Sequence, residues 1–441
     1  MGAVDVGGDD ILLLSGESLD ALRAQAQMVL KELDGAAPFH AVCGKVARQP
    51  RHPHRAALLA ADAREAKTAL TAFLGGDADA PGVGADGVNV FVGQAPAAGL
   101  LSVTLLVCDI GAEWFECGPW LRHLGGPAYA AAVAALAVVG LPDPSAALDA
   151  PRAETEGQVS VAVNHAALFV YEMTLLDILR RLGLRFDRVG SFSMGEPQGA
   201  VACGALSVGE GATALAAMSG CIQAIEGQGA MFVVFGLSHE ELEAEAELFD
   251  LEVGAVFSEK GGCLTGSLGG VAALSARLHG DPRVQFMKRP LCCRAAYHSK
   301  QLEGAEPRLR RHLGPLAAGG PAPEACGASL PWYTSVTGGR EAAPAASARD
   351  PAWWFRGLRG RARSQQAIEA LVADAGEQAF VELNARPMLA RTAADAARTA
   401  GVRCPLASSV TSLDSGLPEA RQLLQLACRL HCAGAAVATA R

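Results

Sequence analysis

Apolar and polar positions along the chain change period repeatedly, and each change marks an element. ILLLSG, from Ile11 to Gly16, reads as a strand, and apolar residues at Leu19, Leu22, Val29, Leu30 and Leu33 then recur at helical spacing. Residues 34–55, rich in Pro, His and Arg, read as loop. A second strand and helix are expected over Ala56–Leu74, and an Asp/Gly/Pro-rich stretch at 75–87 closes a small unit. From Val103 the pattern becomes strand then loop (VTLLVCDIGAEW), with a helix near Pro127–Val139, a turn-rich break at Pro142–Glu156, a long helix over Val159–Leu182 and a strand over Phe186–Phe192. Such alternation predicts a parallel α/β sheet.

Between Ala230 and Pro290 the order differs: strand AMFVVFG, helix Glu240–Phe249, strands LEVGAVF and GCLTGS, helix Gly270–His279, strand VQFMKRP. This β-α-β-β-α-β succession predicts a ferredoxin-like subdomain inserted in the larger sheet. Core strands resume near Trp332–Thr337 and Ala379–Leu383, with a helix near Ser364–Ala375 between them. The last residues read as loop followed by a helix over Leu417–Ala433. There is no internal repeat.

The sharpest local signal is VGSFSMGEPQGAVACG, Val189 to Gly204. Ser193 stands between an apolar strand and a helix of small residues, with Ser191 and Gly195 two positions to either side. A nucleophile elbow is built this way, because so tight a turn excludes bulk and lifts the serine Oγ above the sheet. The backbone N–H of Met194 then points toward an oxyanion. A serine hydroxyl needs a base. Of ten histidines, His298 in AAYHS directly follows the insert, at its junction with the core.

Composition narrows the classes. The 441 residues are 50% hydrophobic and 19% charged with a net charge of −9, which argues against a nucleic-acid partner. Twelve cysteines form no C-x-x-C pair; the nearest metal-like spacing is Cys428, His431 and Cys432 on one helix, and a structural role in a reducing compartment is expected instead. Adjacent Cys292 and Cys293 are likewise expected to pack. The acidic N-terminal stretch lacks a secretory pattern, and the most apolar stretches read as too short for a bilayer. A cytoplasmic protein without membrane or metal is the expectation.

With these motifs the chain resembles the acyltransferase domain of type I polyketide synthases and polyunsaturated-fatty-acid synthases, relatives of malonyl-CoA:ACP transacylase. SFSMGE stands where that family has G-H-S-x-G-E, followed by GALS, and AAYHS where it has H-A-F-H-S. WYTSVTG, WWFRGLRGRA and FVELNARPML are similar to three further tags, in the family's order. The resemblance implies an α/β-hydrolase-like large subdomain with the ferredoxin-like insert at about 229–297. It also implies a ketosynthase-to-acyltransferase linker over 1–98, the acyltransferase over 99–390 and a following linker over 391–441. It further implies Ser193 as nucleophile, His298 as base, an oxyanion hole from the N–H groups of Met194 and Ile110, and a carbonyl at Gly357 orienting the histidine. No bound cofactor is implied; acyl-CoA or a phosphopantetheinyl carrier protein is the substrate, and the carrier protein and an adjacent ketosynthase are the partners.

Three positions depart from the family by becoming apolar. The arginine that holds a substrate carboxylate on the helix after the elbow aligns with Met218, the histidine before the nucleophile with Phe192, and an asparagine of the insert with Phe257. Between Glu196 and Phe249 there is no Arg or Lys. Together with Tyr297, these residues are expected to line a site for an uncharged starter or fatty acyl group. Ordinary core packing is the competing account of the three. The same dyad also suits an acyl hydrolase, the altered Asp109–Glu113 loop suits a non-catalytic docking domain, and a stand-alone lipase fits least. Arg356, Arg359, Arg361 and Arg363 form a basic run suited to an acidic carrier protein or to plain solvation.

Overall fold

The computed structural model describes residues 9–35, 37–76, 89–96, 101–108, 114–155, 159–288, 294–319, 329–384, 388–411 and 417–437. Its strands are β1 (Asp10–Gly16), β2 (His54–Ala60), β3 (Asn89–Gln94), β4 (Ser102–Cys108), β5 (Arg188–Phe192), β6 (Gly229–Phe235), β7 (Glu252–Ser258), β8 (Gly261–Ser267), β9 (Phe286–Lys288), β10 (Trp332–Thr334), β11 (Gly339–Arg340), β12 (Gln378–Glu382) and β13 (Ala407–Ser409). They form three sheets.

The largest sheet has the order β11-β10-β5-β4-β12-β13, all parallel except the short returning strand β11. Its strands are apolar on both faces, as a sheet covered by helices on both sides requires. Leu105 and Val107 face the helices Gly118–Val138, Val161–Arg181 and Val208–Gln223. Leu106, Phe192 and Phe380 face the helices Ser364–Asp374 and Leu389–Thr399. β5, which ends at the elbow, lies between β10 and β4, deep in the sheet.

The inserted sheet is antiparallel with the order β7-β8-β6-β9, the ferredoxin-like arrangement. Phe232, Val234 and Leu264 pack under the helices His239–Leu248 and Leu268–Leu278. The opposite face, with Met231, Val233, Ala255, Phe257 and Cys263, joins the main core. The α/β-hydrolase-like sheet with a ferredoxin-like insert is therefore the architecture.

The N-terminal sheet, β1-β2-β3, alternates strictly. Leu12 and Leu14 turn into a local core, and Ile11 and Leu13 turn toward the C-terminal helix Glu419–Ala433. That helix is bonded down: His431 Nε2 meets the Leu14 carbonyl at 3.1 Å, and Arg55 Nη1 donates to the carbonyls of His431 and Ala435 at 3.2 and 2.9 Å. Cys428 and Cys432 are buried in this contact.

Some expectations need correcting. The stretch read as loop contains the helix Phe39–Ala47, whose Phe39, Val42, Cys43 and Val46 make one buried face at helical spacing; the flanking Pro, His and Arg residues obscured it. The helices Glu306–Ala318, Pro351–Arg359 and Leu389–Thr399 also escaped the pattern. The last of these crosses the boundary expected at 390, and β13 beyond it pairs with β12 in the main sheet. The 21-residue helix Val161–Arg181 is long and apolar enough to cross a membrane, contrary to the expectation that no stretch would be. Its Leu168, Phe169, Leu175 and Ile178 are buried in the main core.

Candidate active site

β5 runs into Ser193, whose backbone takes the left-handed conformation at φ +54°, and the helix Glu196–Ala202 begins three residues later. A non-glycine residue there is strained. Close packing fixes the turn: a Cβ on Gly199 would lie 2.2 Å from Ser191 Cβ, so the helix approaches the strand only because that side chain is absent. His298 is a second left-handed residue, at φ +55°, where the chain returns from the insert.

These two strained residues, 105 positions apart, meet with Ser193 Oγ 2.8 Å from His298 Nε2. Both are 4% exposed. His298 Nδ1 lies 2.9 Å from the carbonyl oxygen of Gly360. A carbonyl only accepts, so the proton sits on Nδ1 and the Nε2 lone pair faces the serine O–H. Burial lowers the imidazole pKa to about 4, opposed by the carbonyls of Gly360 and then Gly357. The orienting carbonyl expected at Gly357 is thus chiefly that of Gly360. The helix Pro351–Arg359 ends between the two, which brings the later carbonyl nearest the ring.

Glu196, 1% exposed, accepts hydrogen bonds on both carboxyl oxygens. Ser335 donates to Oε1 from its backbone N–H at 2.9 Å and its hydroxyl at 2.8 Å, and Ser191 Oγ donates to Oε2. Ser191 Oγ in turn accepts from Trp332 Nε1 at 2.7 Å, and Ser335 Oγ accepts from the Ser193 N–H at 2.9 Å. Burial pushes the Glu196 carboxyl up to about 8 against the pull of these donors. With the Ser193 amide engaged, the Met194 N–H is the next donor in the first turn, where helical N–H groups lack intrahelical partners. Sequence reasoning overlooked Glu196, Ser335 and Trp332. The signal was an acidic residue among small ones in a tight turn, and the polar tag YTSVTG.

The acyl transferase domain profile matches residues 145–437. The chain belongs to the acyl transferase domain family. Similar curated proteins are the polyketide synthase GfsA of Streptomyces halstedii, 31% identical over 92% of this chain, and the erythronolide synthase EryA3 of Saccharopolyspora erythraea, 28% identical over 97%. The chain spans only 5% and 12% of their lengths. Among solved structures, the acyltransferase domain from module 8 of the salinomycin polyketide synthase is 22% identical with a TM-score of 0.78, the alignment covering 98% of this chain and 97% of that one. A loading acyltransferase from the avermectin synthase is 21% identical with a TM-score of 0.63, over 75% of this chain and 99% of that one.

In this acyltransferase, Met218, Phe257 and Tyr297 are buried in one core together with Met194. Phe257 stacks on Phe235 at 6.1 Å, on the insert face turned toward the large sheet. The Tyr297 hydroxyl lies 2.9 Å from Nε2 of buried His165. Phe192 is elsewhere: it packs with Leu106, Tyr333, Ile368 and Phe380 on the other side of the sheet. Side chains alternate along β5, so Phe192 points away from the face that carries Ser191. It is a buried core residue on the opposite face. Ile110, the Asp109–Glu113 loop, Cys292 and Cys293 lie outside the described residues. Within the basic run, Arg359 pairs with Glu252 and Glu303, and Arg361 with Glu243. Two of these carboxylates belong to the insert, so Arg359 and Arg361 help hold it in place.

Proposed function

We propose that this acyltransferase moves an uncharged acyl group from a CoA or carrier-protein thioester to a phosphopantetheine thiol through an acyl-Ser193 intermediate. The contact between Ser193 Oγ and the neutral His298 imidazole at 2.8 Å carries the reading. His298 Nε2 takes the hydroxyl proton as Oγ attacks the thioester carbonyl, and the Met194 N–H, with that of Ile110, receives the oxyanion. Collapse breaks the C–S bond, and His298 returns the proton to the departing sulfur. An incoming thiol repeats the steps in reverse. Each oxyanion donor of this kind is worth about 2.7–4 kcal/mol.

The preference for an uncharged acyl group rests on Met218. It is 1% exposed, and among the described residues the only buried Arg or Lys is Arg55, in the N-terminal unit. A carboxylate brought into this core meets no buried cation among the described residues, whereas an alkyl chain gains about 0.8 kcal/mol per CH₂ buried. The carrier protein and a neighbouring ketosynthase of a polyketide or fatty-acid synthase are the partners that fit this chemistry.

Intact-mass measurement after exposure to acetyl-, malonyl-, medium- and long-chain acyl-CoA tests the assignment. One acyl adduct is expected, at higher occupancy with uncharged chains than with malonyl. Malonyl occupancy equal to the others overturns the preference, and steady release of free acid without an acceptor makes the protein a hydrolase. The acid limb of kcat/KM is expected near pH 4, because burial holds the free His298 unprotonated until then. Activity should persist as pH falls through 6.5, the ordinary histidine value, and drop to half near 4. A limb at 6.5 or above would mean that the imidazole is solvated.

A further inference from the structure

The hydrogen bonds around Ser335 connect both members of the dyad, although Ser335 touches neither reacting atom. Its hydroxyl accepts the Ser193 N–H at 2.9 Å and is aimed by Glu196 at 2.8 Å. Its backbone N–H donates to Glu196 Oε1 and also lies 3.1 Å from the Ser191 carbonyl, which anchors it to the end of β5. Its own carbonyl accepts the Arg363 N–H at 2.8 Å. The segment leading to Arg363 contains Gly360, the acceptor for His298 Nδ1. Ala362 in that segment is fastened to the insert: its N–H donates to Gly254 at 2.8 Å, and its carbonyl accepts from Val256 at 3.1 Å. One residue thus holds the serine on one side and, through the backbone of 360–363, the support of the histidine on the other.

We propose that Ser335, aimed by Glu196, is a positioning residue that sets the distance between Ser193 and His298. The inference rests on the acyl-transfer reading above. Three features make it more than general packing. Ser193 sits in a strained backbone conformation, so its peptide needs an external partner to stay there. The partner is a hydroxyl held by a buried carboxyl, not by solvent. A second serine, Ser191, occupies the opposite carboxyl oxygen under the Trp332 indole, so the carboxyl has little freedom to turn away from Ser335. When Ser335 loses its hydroxyl, the Ser193 peptide loses its acceptor and Glu196 loses one donor, while the acyl-binding residues are untouched. The defect therefore belongs to the rate of attack and not to binding.

Inactivation by a fluorophosphonate provides a test that needs no knowledge of the natural acyl group, because it reads the nucleophilicity of Ser193 directly. Wild type is expected to be labelled at Ser193. For Ser335→Ala, the maximal inactivation rate should fall by about tenfold to a hundredfold, with the half-saturating concentration within about twofold, as expected for a displaced reacting group. Ser335→Thr, which keeps the hydroxyl, should recover most of the rate. An alanine variant labelled as fast as wild type, or a threonine variant no faster than alanine, overturns the positioning role while leaving the dyad intact. Wild type that is not labelled at all defeats the acyl-transfer reading and this inference with it. If the alanine variant does not fold, Glu196→Gln decides. Assayed above pH 8, where the Glu196 carboxyl is ionised, this change keeps a carbonyl for Ser335 but replaces one acceptor oxygen with a donor, so a slower rate supports the role and an unchanged rate overturns it.

Discussion

Ser193→Ala is expected to leave no acyl adduct in an intact-mass spectrum and to lower transfer by about a thousandfold or more, the scale seen when a covalent nucleophile is removed. The alanine side chain is smaller and the left-handed backbone is held by neighbours that remain, namely Ser335, Glu196 and the Gly199 contact. Folding should therefore survive, and the loss should be chemical. The expectation is specific because the elbow holds a second buried serine, Ser191, only two residues away. Ser191 is already engaged with Glu196 and Trp332, and it lies within β5 rather than on the turn. It is no substitute nucleophile. An adduct that persists in the alanine variant would remove Ser193 from the mechanism.

Met218→Arg is the second large effect, and its sign depends on the substrate. A buried carboxylate with no partner costs roughly 2–5 kcal/mol, which at about 1.4 kcal/mol per decade is roughly 30-fold to several thousandfold in transfer. Placing a guanidinium at position 218 should recover much of that factor for malonyl-CoA and reduce the rate with acetyl- and longer acyl-CoA. The arginine carries its own cost. Met218 lies in a packed core, and an unpaired charge there lowers stability by several kcal/mol. The free variant should melt below wild type and regain part of the difference when malonyl-CoA binds, since ligand binding to the folded state alone raises apparent stability. Competition kinetics between malonyl- and acetyl-CoA measure the first effect, and melting with and without malonyl-CoA measures the second. An unchanged malonyl-to-acetyl ratio would mean that position 218 does not face the acyl group.

Much of the architecture was readable before any coordinates. Both main patterns, parallel strand–helix alternation and the β-α-β-β-α-β insert, rest on local periodicity, and local periodicity reflects which face of each element is buried. Several elements that escaped lay in stretches read as loop or tag. Phe39–Ala47 is a short helix between polar flanks, and Leu389–Thr399, which starts at the end of the tag FVELNARPML, buries Leu389, Ala390, Ala393 and Ala397, mostly small residues. The chemistry split along the same line. Ser193 and His298 each stood in a recognisable motif. Gly357 was named as the orienting carbonyl, yet the nearest acceptor is three residues later, because the exit angle of a helix end decides which carbonyl faces the ring.

Phe192 shows the limit most clearly. Its place beside the nucleophile suggested a wall of the acyl site, and β5 turns it to the far side of the sheet. Met218 and Phe257 came from distant parts of the chain and share one core. The linear order of residues was enough to specify most of the elements and which serine stands in a tight turn, since these depend on neighbours within a few residues, while the polar positions that became apolar showed only against the resembled family. Which side of a strand each side chain takes, and which carbonyl, hydroxyl and carboxyl lie against the dyad, were decided by long-range packing. Those contacts join residues from 62 to 142 positions apart, and no local pattern encodes the distance between them.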